Sequence, residues 1–172
     1  MAAAATTLRR GSEADAAAAA RLWLRARAAA ARDGSIPPPV HSPEDVGSWF
    51  ASHVVPLTAL WLAEVDDAGL AGLLVLEDGW VEQLYVDPEH IGKGIGGSLL
   101  SRAMRECPSG LQLWSFASNT RALRFYEQRG FTEVRRTDGR DNEERAPDVL
   151  LRWQGRSAPG GDRTGTRTGA FN

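Results

Sequence analysis

Residues 84–100, Leu-Tyr-Val-Asp-Pro-Glu-His-Ile-Gly-Lys-Gly-Ile-Gly-Gly-Ser-Leu-Leu, run from an extended segment through a glycine-dense turn into an apolar helix. This junction restricts the chain to folds in which a strand turns abruptly into a helix. Gly92, Gly94, Gly96 and Gly97 remove Cβ atoms at the turn, so backbone N–H groups can converge on an anion at the positive end of the helix that follows. Lys93, the only lysine in the chain, adds a charge there.

A glycine-rich turn has several owners, and its surroundings decide among them. Gly92, Gly94 and Gly97 have the spacing of a dinucleotide-binding turn, but that turn follows the first strand of a βαβ unit. Here it comes midway along the chain, and no repeated nucleotide-binding half follows. A phosphate-binding P-loop is excluded too: Lys93 lies among the glycines and precedes Gly94, where that motif requires Ser or Thr.

The 172 residues, 42% hydrophobic and 24% charged, suit one globular domain with a real core. We expect it to span 1–153. The net charge of −2 gives no general basic field for nucleic acid. Cys107 is the sole cysteine, so no internal disulfide or cysteine-based metal cluster can form, which fits a reducing compartment. The alanine-rich amino-terminal stretch is interrupted by Glu13, Asp15, Arg21, Arg25 and Arg27, leaving neither a signal-peptide core nor a membrane span. The expectation is a soluble cytoplasmic protein.

Thr7–Arg10 reads as a short strand, and Ser12 with Asp15 as a capping box opening a helix through about Ala31. Trp23, Ala19, Ala20, Ala26 and Ala30 supply its packing face. Asp33–His41, with prolines 37 to 39, is a loop, and Ser42-Pro43-Glu44-Asp45 starts a second helix over Pro43–His53. Strands follow at Ala59–Val65, Leu70–Glu77 and Trp80–Val86, joined by short Asp/Gly turns into an antiparallel meander. After the glycine turn come a helix over Ile95–Cys107, a strand over Leu111–Ala117, a helix over Asn119–Arg129, a strand from Phe131, a polar loop over Asp138–Pro147 and a last strand over Asp148–Trp153. Residues 154–172 turn to Gly, Arg, Thr and Ser and are expected to be disordered.

Two linked motifs resemble the GCN5-related N-acetyltransferase (GNAT) superfamily. The first is Leu84-Tyr85-Val86-Asp87-Pro88 joined to Gly92-Lys93-Gly94-Ile95-Gly96. The second is Asn119 through Phe131, similar to the family's N-x-x-A-x-x-F-Y-x-x-x-G-F segment. The resemblance implies an α/β fold with a mixed, mostly antiparallel central sheet flanked by helices. It also implies acetyl-CoA as co-substrate, no metal, and direct transfer of an acetyl group to a primary amine of a small molecule or peptide amino terminus. Neither nucleic acid nor a membrane is an expected partner, and a homodimer is compatible with the reading. The alternative is a catalytically silent acyl-CoA-binding sensor or interaction module; a third reading is transfer of a larger acyl group.

By the same resemblance, backbone groups of Leu84, Tyr85 and Val86 pair with the pantetheine arm. The amides around Ile91, Gly92, Lys93, Gly94, Ile95, Gly96 and Gly97 hold the pyrophosphate, and Asn119 bonds the arm or caps its helix, or both. The family turn usually begins with Gln or Arg where this chain has Ile91, so weaker cofactor binding is expected. Tyr126 matches the family tyrosine that lies near the cofactor sulfur, where a neutral phenol can protonate the leaving thiolate; the alternative is a core aromatic beside Phe125.

For the base, strand alternation puts Glu82 on one face with Trp80, Leu84 and Val86, where a carboxylate is out of place. The alternative is a solvated or Arg-paired Glu at the sheet margin, with Glu64 and Asp78 less favoured as bases. The acceptor pocket is expected from the loops at 33–42, which contains His41, and 137–148, with Trp80, Trp114 and Phe116 bordering the cleft. Asp138, Asp141, Glu143 and Glu144 could draw in a cationic amine, although a charge run in a loop is usually solvated. His41 and His53 lack metal-ligand spacing with other candidates.

Overall fold

The computed structural model describes residues 5–66 and 68–155. The expected disordered tail therefore lies, beyond Gly155, outside the described residues. Seven strands form one sheet in the order β1-β2-β3-β4-β5-β7-β6. They are β1 (Thr6–Arg10), β2 (Ala59–Val65), β3 (Gly69–Glu77), β4 (Trp80–Val86), β5 (Leu111–Phe116), β6 (Thr132–Arg136) and β7 (Asp148–Trp153). Every neighbouring pair is antiparallel except β4 and β5. The helices are α1 (Ala16–Arg32), α2 (Pro43–Trp49), α3 (Val55–Leu57), α4 (Ile95–Glu106) and α5 (Thr120–Glu127).

β3 is buried on both faces from Ala71 to Leu76, which is why it reads as an unbroken apolar run rather than an alternating one. On one face Ala19, Ala20 and Trp23 of α1 pack with Leu62, Leu73 and Val75. On the other, Ile95, Leu99, Leu100 and Ala103 of α4 recur at helical spacing and pack with Leu74, Leu76 and Val81. Gly72 permits the close approach of α4: a methyl group there would lie 2.8 Å from Ile95 Cγ2 and 3.0 Å from Leu99 Cδ1.

Two features differ from the sequence reading. The second helix continues past His53, through a π turn over Phe50–Val54 and into α3. Ser52 Oγ returns to the Ser48 carbonyl at 2.7 Å, a contact of the kind that bends helices, and Thr58 bonds the Val54 carbonyl through both its amide and its hydroxyl. The second difference is a β-bulge. Val75 pairs with Gln83 but Leu76 pairs with Val81, leaving Glu82 as the extra residue of β4. Val81, not Glu82, packs with Leu84 and Val86 beneath α4. The expected shared face of Trp80, Glu82, Leu84 and Val86 is therefore broken, because period-2 alternation does not survive an inserted residue.

Gly72→Ala should cost about 1–3 kcal/mol in urea unfolding, because α4 cannot keep its seat over an added methyl group.

Candidate active site

β4 and β5 are parallel, yet their register holds a single pair, Trp80 with Gln112, at the start of both strands. Beyond it they diverge. The right-handed twist of adjacent strands has no ladder to oppose it there, so the β5-facing edge of β4 from Leu84 to Val86 opens onto a cleft. Two cavities occupy the gap. The larger, about 640 Å³, runs between α1 and the glycine turn, lined by Ala26, Ala29 and Ala30 on one side and by Ile91, Gly92, Gly94, Gly96 and Gly97 on the other. The smaller, about 80 Å³, lies in the split itself, among Ile36, Glu82, Leu113, Trp114 and Phe116. Leu84, Tyr85, Asn119, Ala122 and Tyr126 line both and mark their junction.

The glycine turn forms as its sequence requires. Asp87 caps the short turn Pro88–His90, and Gly92 and Gly94 take left-handed φ values of 83° and 85° before α4 begins. At neither glycine would a Cβ meet anything within 4 Å, so their backbone faces open space toward the groove. Asp87 is buried and receives Arg25 at 2.6 Å. Burial alone would raise its carboxyl, but the hydrogen bonds from Arg25 and the Glu89 amide and the charges of Arg25 and His90 outweigh that and hold it below its ordinary value.

Tyr126, 7% exposed, is packed against Phe125 and Phe131 with ring centroids 5.1 and 5.4 Å away. Burial, with a smaller contribution from Tyr85, pushes its phenol well above the ordinary tyrosine value. Tyr126 is thus a core aromatic whose phenol burial keeps protonated. Asn119 caps α5 by accepting from the Ala122 amide at 3.1 Å. Glu82 is the only carboxylate among the residues lining the smaller cavity. Glu64 is held by Arg9 at 2.7 Å at the β1–β2 end of the sheet, and Asp78 lies in the β3–β4 turn with φ 48°.

Of the acceptor-side candidates, Trp114 and Phe116 line the smaller cavity, whereas Trp80 sits at the closed end of the split and lines neither cavity. His41 reaches across to Glu143 at 2.6 Å, and Ser118 Oγ bonds the Ser35 carbonyl at 2.8 Å. The loops at 33–42 and 137–147 therefore meet. Sequence reasoning missed what joins them beneath the surface. Arg27, read only as a charge breaking an apolar stretch, is buried against Trp23 and Phe116 and pairs with Glu144 at 3.0 Å, the side chains 1% and 2% exposed. Its Nη1 also lies 3.4 Å from the Tyr85 hydroxyl. The signal was positional: Arg27 stands four residues after Trp23, on the packing stripe of α1. Of the carboxylates in this loop weighed as amine attractors or as solvated charges, Glu143 and Glu144 are instead paired within the protein, with His41 and Arg27. Arg121 and Arg129 were also unforeseen in the groove wall.

Residues 56–133 match the family model of the acetyltransferase (GNAT) domain. Over 89 residues the chain is 32% identical to the peptidyl-lysine N-acetyltransferase YjaB of Salmonella typhimurium, a match covering 52% of this chain and 61% of that protein. The chain spans less than two thirds of the length of the curated relatives it matches, 61% and 64%. The solution structure of apo-form YjaB from Escherichia coli aligns at TM-score 0.68 and 22% identity, covering 88% of this chain and 99% of that one. YncA of Salmonella typhimurium, solved with its cofactor acetyl-CoA, aligns at TM-score 0.66 and 21% identity, covering 92% and 98%. Residues 56–133 thus carry the likeness to the acetyltransferase (GNAT) domain, and the described chain shares the fold of these solved structures. No helix among the described residues is long and apolar enough to cross a membrane.

Two outcomes follow from this geometry. The chain has two tyrosines. In a Tyr85→Phe variant, ultraviolet titration should show no phenolate at about pH 10, where a free tyrosine is half ionised. Because the folded pKa is raised, the stability contributed by a neutral Tyr126 is complete below the unfolded value and is lost as pH climbs above it. Arg27→Met should cost about 3–5 kcal/mol by leaving Glu144 charged and buried, and the double variant Arg27→Met/Glu144→Met should recover most of that loss in thermal melts.

Proposed function

We propose that the protein is an acetyl-CoA-dependent N-acetyltransferase in which the diverging β4 and β5 hold the acyl arm and the amine attacks directly. The observation that carries this reading is the junction of the two cavities: a groove ending at a glycine-lined helix start, and a small chamber that Glu82 lines, meeting at Tyr126. The groove suits a long thin molecule with an anionic end. The amides at Gly92–Gly97 receive that end, and the β5-facing edge of Leu84, Tyr85 and Val86, where the ladder with β5 is missing, pairs with its amide-bearing arm. Acetyl-CoA brings the thioester that makes acyl transfer to an amine favourable.

The chain's own residues then have three tasks. An amide of the open β4 edge polarises the thioester carbonyl, and holding amine and carbonyl in line supplies an effective molarity on the order of 10⁵ M or more. Tyr126, kept protonated by burial, donates its proton to the departing sulfur. Glu82, placed at the chamber by the bulge, accepts the ammonium proton through water. Trp114, Phe116, His41 and the 137–147 loop bound the acceptor. The matched relative named for acting on peptidyl-lysine makes a lysine side chain the first acceptor class to test, with small primary amines next.

Acetyl-CoA offered with a panel of lysine peptides, amino-terminal peptides and small amines should release free CoA only when an amine is present, with the acetylated product seen by mass spectrometry. Tyr126→Phe should lower kcat on the order of 10²-fold while leaving the acetyl-CoA dissociation constant within about twofold. Tight CoA binding with no transfer to any amine would favour the silent-module reading instead.

A further inference from the structure

Ile91 opens the glycine turn with an apolar side chain that can offer an anion no hydrogen bond, and it is 44% exposed. The structure brings a cation to the same place from the second motif. Arg129 follows α5, and its Nη1 donates to the Phe125 carbonyl at 2.9 Å. Its guanidinium lies over the Phe125 ring, 3.9 Å from the centroid. Both groups press on the first turn of α4. A methyl group at Gly96 would lie 3.5 Å from Phe125 Cζ, and one at Gly97 would lie 3.2 Å from Arg129 Nη2.

This placement is electrostatically frustrated. A fixed cation beside the positive end of a twelve-residue helix is disfavoured, and no ion pair is formed by Arg129 with any carboxylate among the described residues. A second positive group, Lys93, lies in the same turn. The arrangement becomes favourable when an anion lies between guanidinium and helix amides, and Arg129 lines the 640 Å³ groove where such an anion would enter. Resting on the acyl-CoA reading above, we propose that Arg129 is the side-chain ligand of the cofactor's diphosphate, replacing from the second motif what Ile91 does not supply. Gly97 is glycine in part because the guanidinium occupies the space a side chain would fill.

The test is calorimetric binding of CoA and of 3′-dephospho-CoA to the full chain at low and high salt. Arg129→Gln keeps a hydrogen-bond donor on a shorter side chain but removes the charge. It should weaken both ligands alike, by about ten- to a hundredfold, with the difference shrinking as salt rises. Gly97→Ala should weaken both in the same way by displacing the guanidinium. Ile91→Arg in the Arg129→Gln background should recover most of the loss, and the ligand-free melting temperature of Arg129→Gln should equal or exceed that of the parent. A packing role alone would lower that temperature and would not respond to Ile91→Arg. Unchanged affinity in Arg129→Gln, or a loss confined to CoA with its 3′-phosphate, would overturn the assignment while the acyl-CoA reading stands. A parent protein that binds neither ligand would overturn both.

Discussion

The molecule is organised around a missing ladder. β4 and β5 share one pair, Trp80 with Gln112, and then separate, although each stays paired on its other side, with β3 (save the bulged Glu82) and β7. Backbone groups left unpaired inside a protein are costly unless something bonds to them. We therefore read the edge of β4 as a binding surface, with the rest of the architecture holding the gap open or furnishing its ends. α4, seated on β3 through Gly72, fixes the glycine turn at one end of the groove. α5 closes the split from below and carries Tyr126 to the point where the cavities meet.

The side of the cleft where the loops at 33–42 and 137–147 meet is held by charge. Arg27 touches Tyr85 of β4 and Phe116 of β5, and it pairs with Glu144 of the loop at 137–147, so one buried guanidinium ties together the elements that frame the split. A buried ion pair is weak evidence of stability, since desolvation cancels much of the attraction, but it strongly disfavours the loop's departure. The loop is also ordered from within: Asp148 accepts from Thr137 and Asn142, and Asn142 bonds Ala146 in both directions. His41 with Glu143 adds a second, more exposed link.

How much of this could be read from the sequence depends on the range of the forces involved. The strand order along the chain, the glycine turn, the cap at Asn119 and the two motifs were legible because each rests on residues within a few positions of one another. The bulge at Glu82 was not, since register is decided by the partner strand and Val75 is seven residues away across a turn. The Arg27–Glu144 pair joins positions 117 residues apart, and although Arg27 lies on the packing stripe of α1, nothing local to it names its partner. Arg129 was hidden for a similar reason: its importance depends on α5 packing beside α4, which brings one motif's arginine to the other's glycines. The π turn after Trp49 escaped because the apolar spacing that signals a helix does not distinguish the two ladders.

The central claim is that the open edge of β4 and the start of α4 form one acyl-CoA site. Residue-resolved amide hydrogen exchange, with and without acetyl-CoA, reads both segments in a single measurement. The account predicts that the cofactor slows exchange at Leu84–Val86 and Gly92–Gly97 together, with little change at the Trp80–Gln112 end where the strands are already paired. Exchange unaltered in both segments, or protection confined to another face of the sheet, would contradict it.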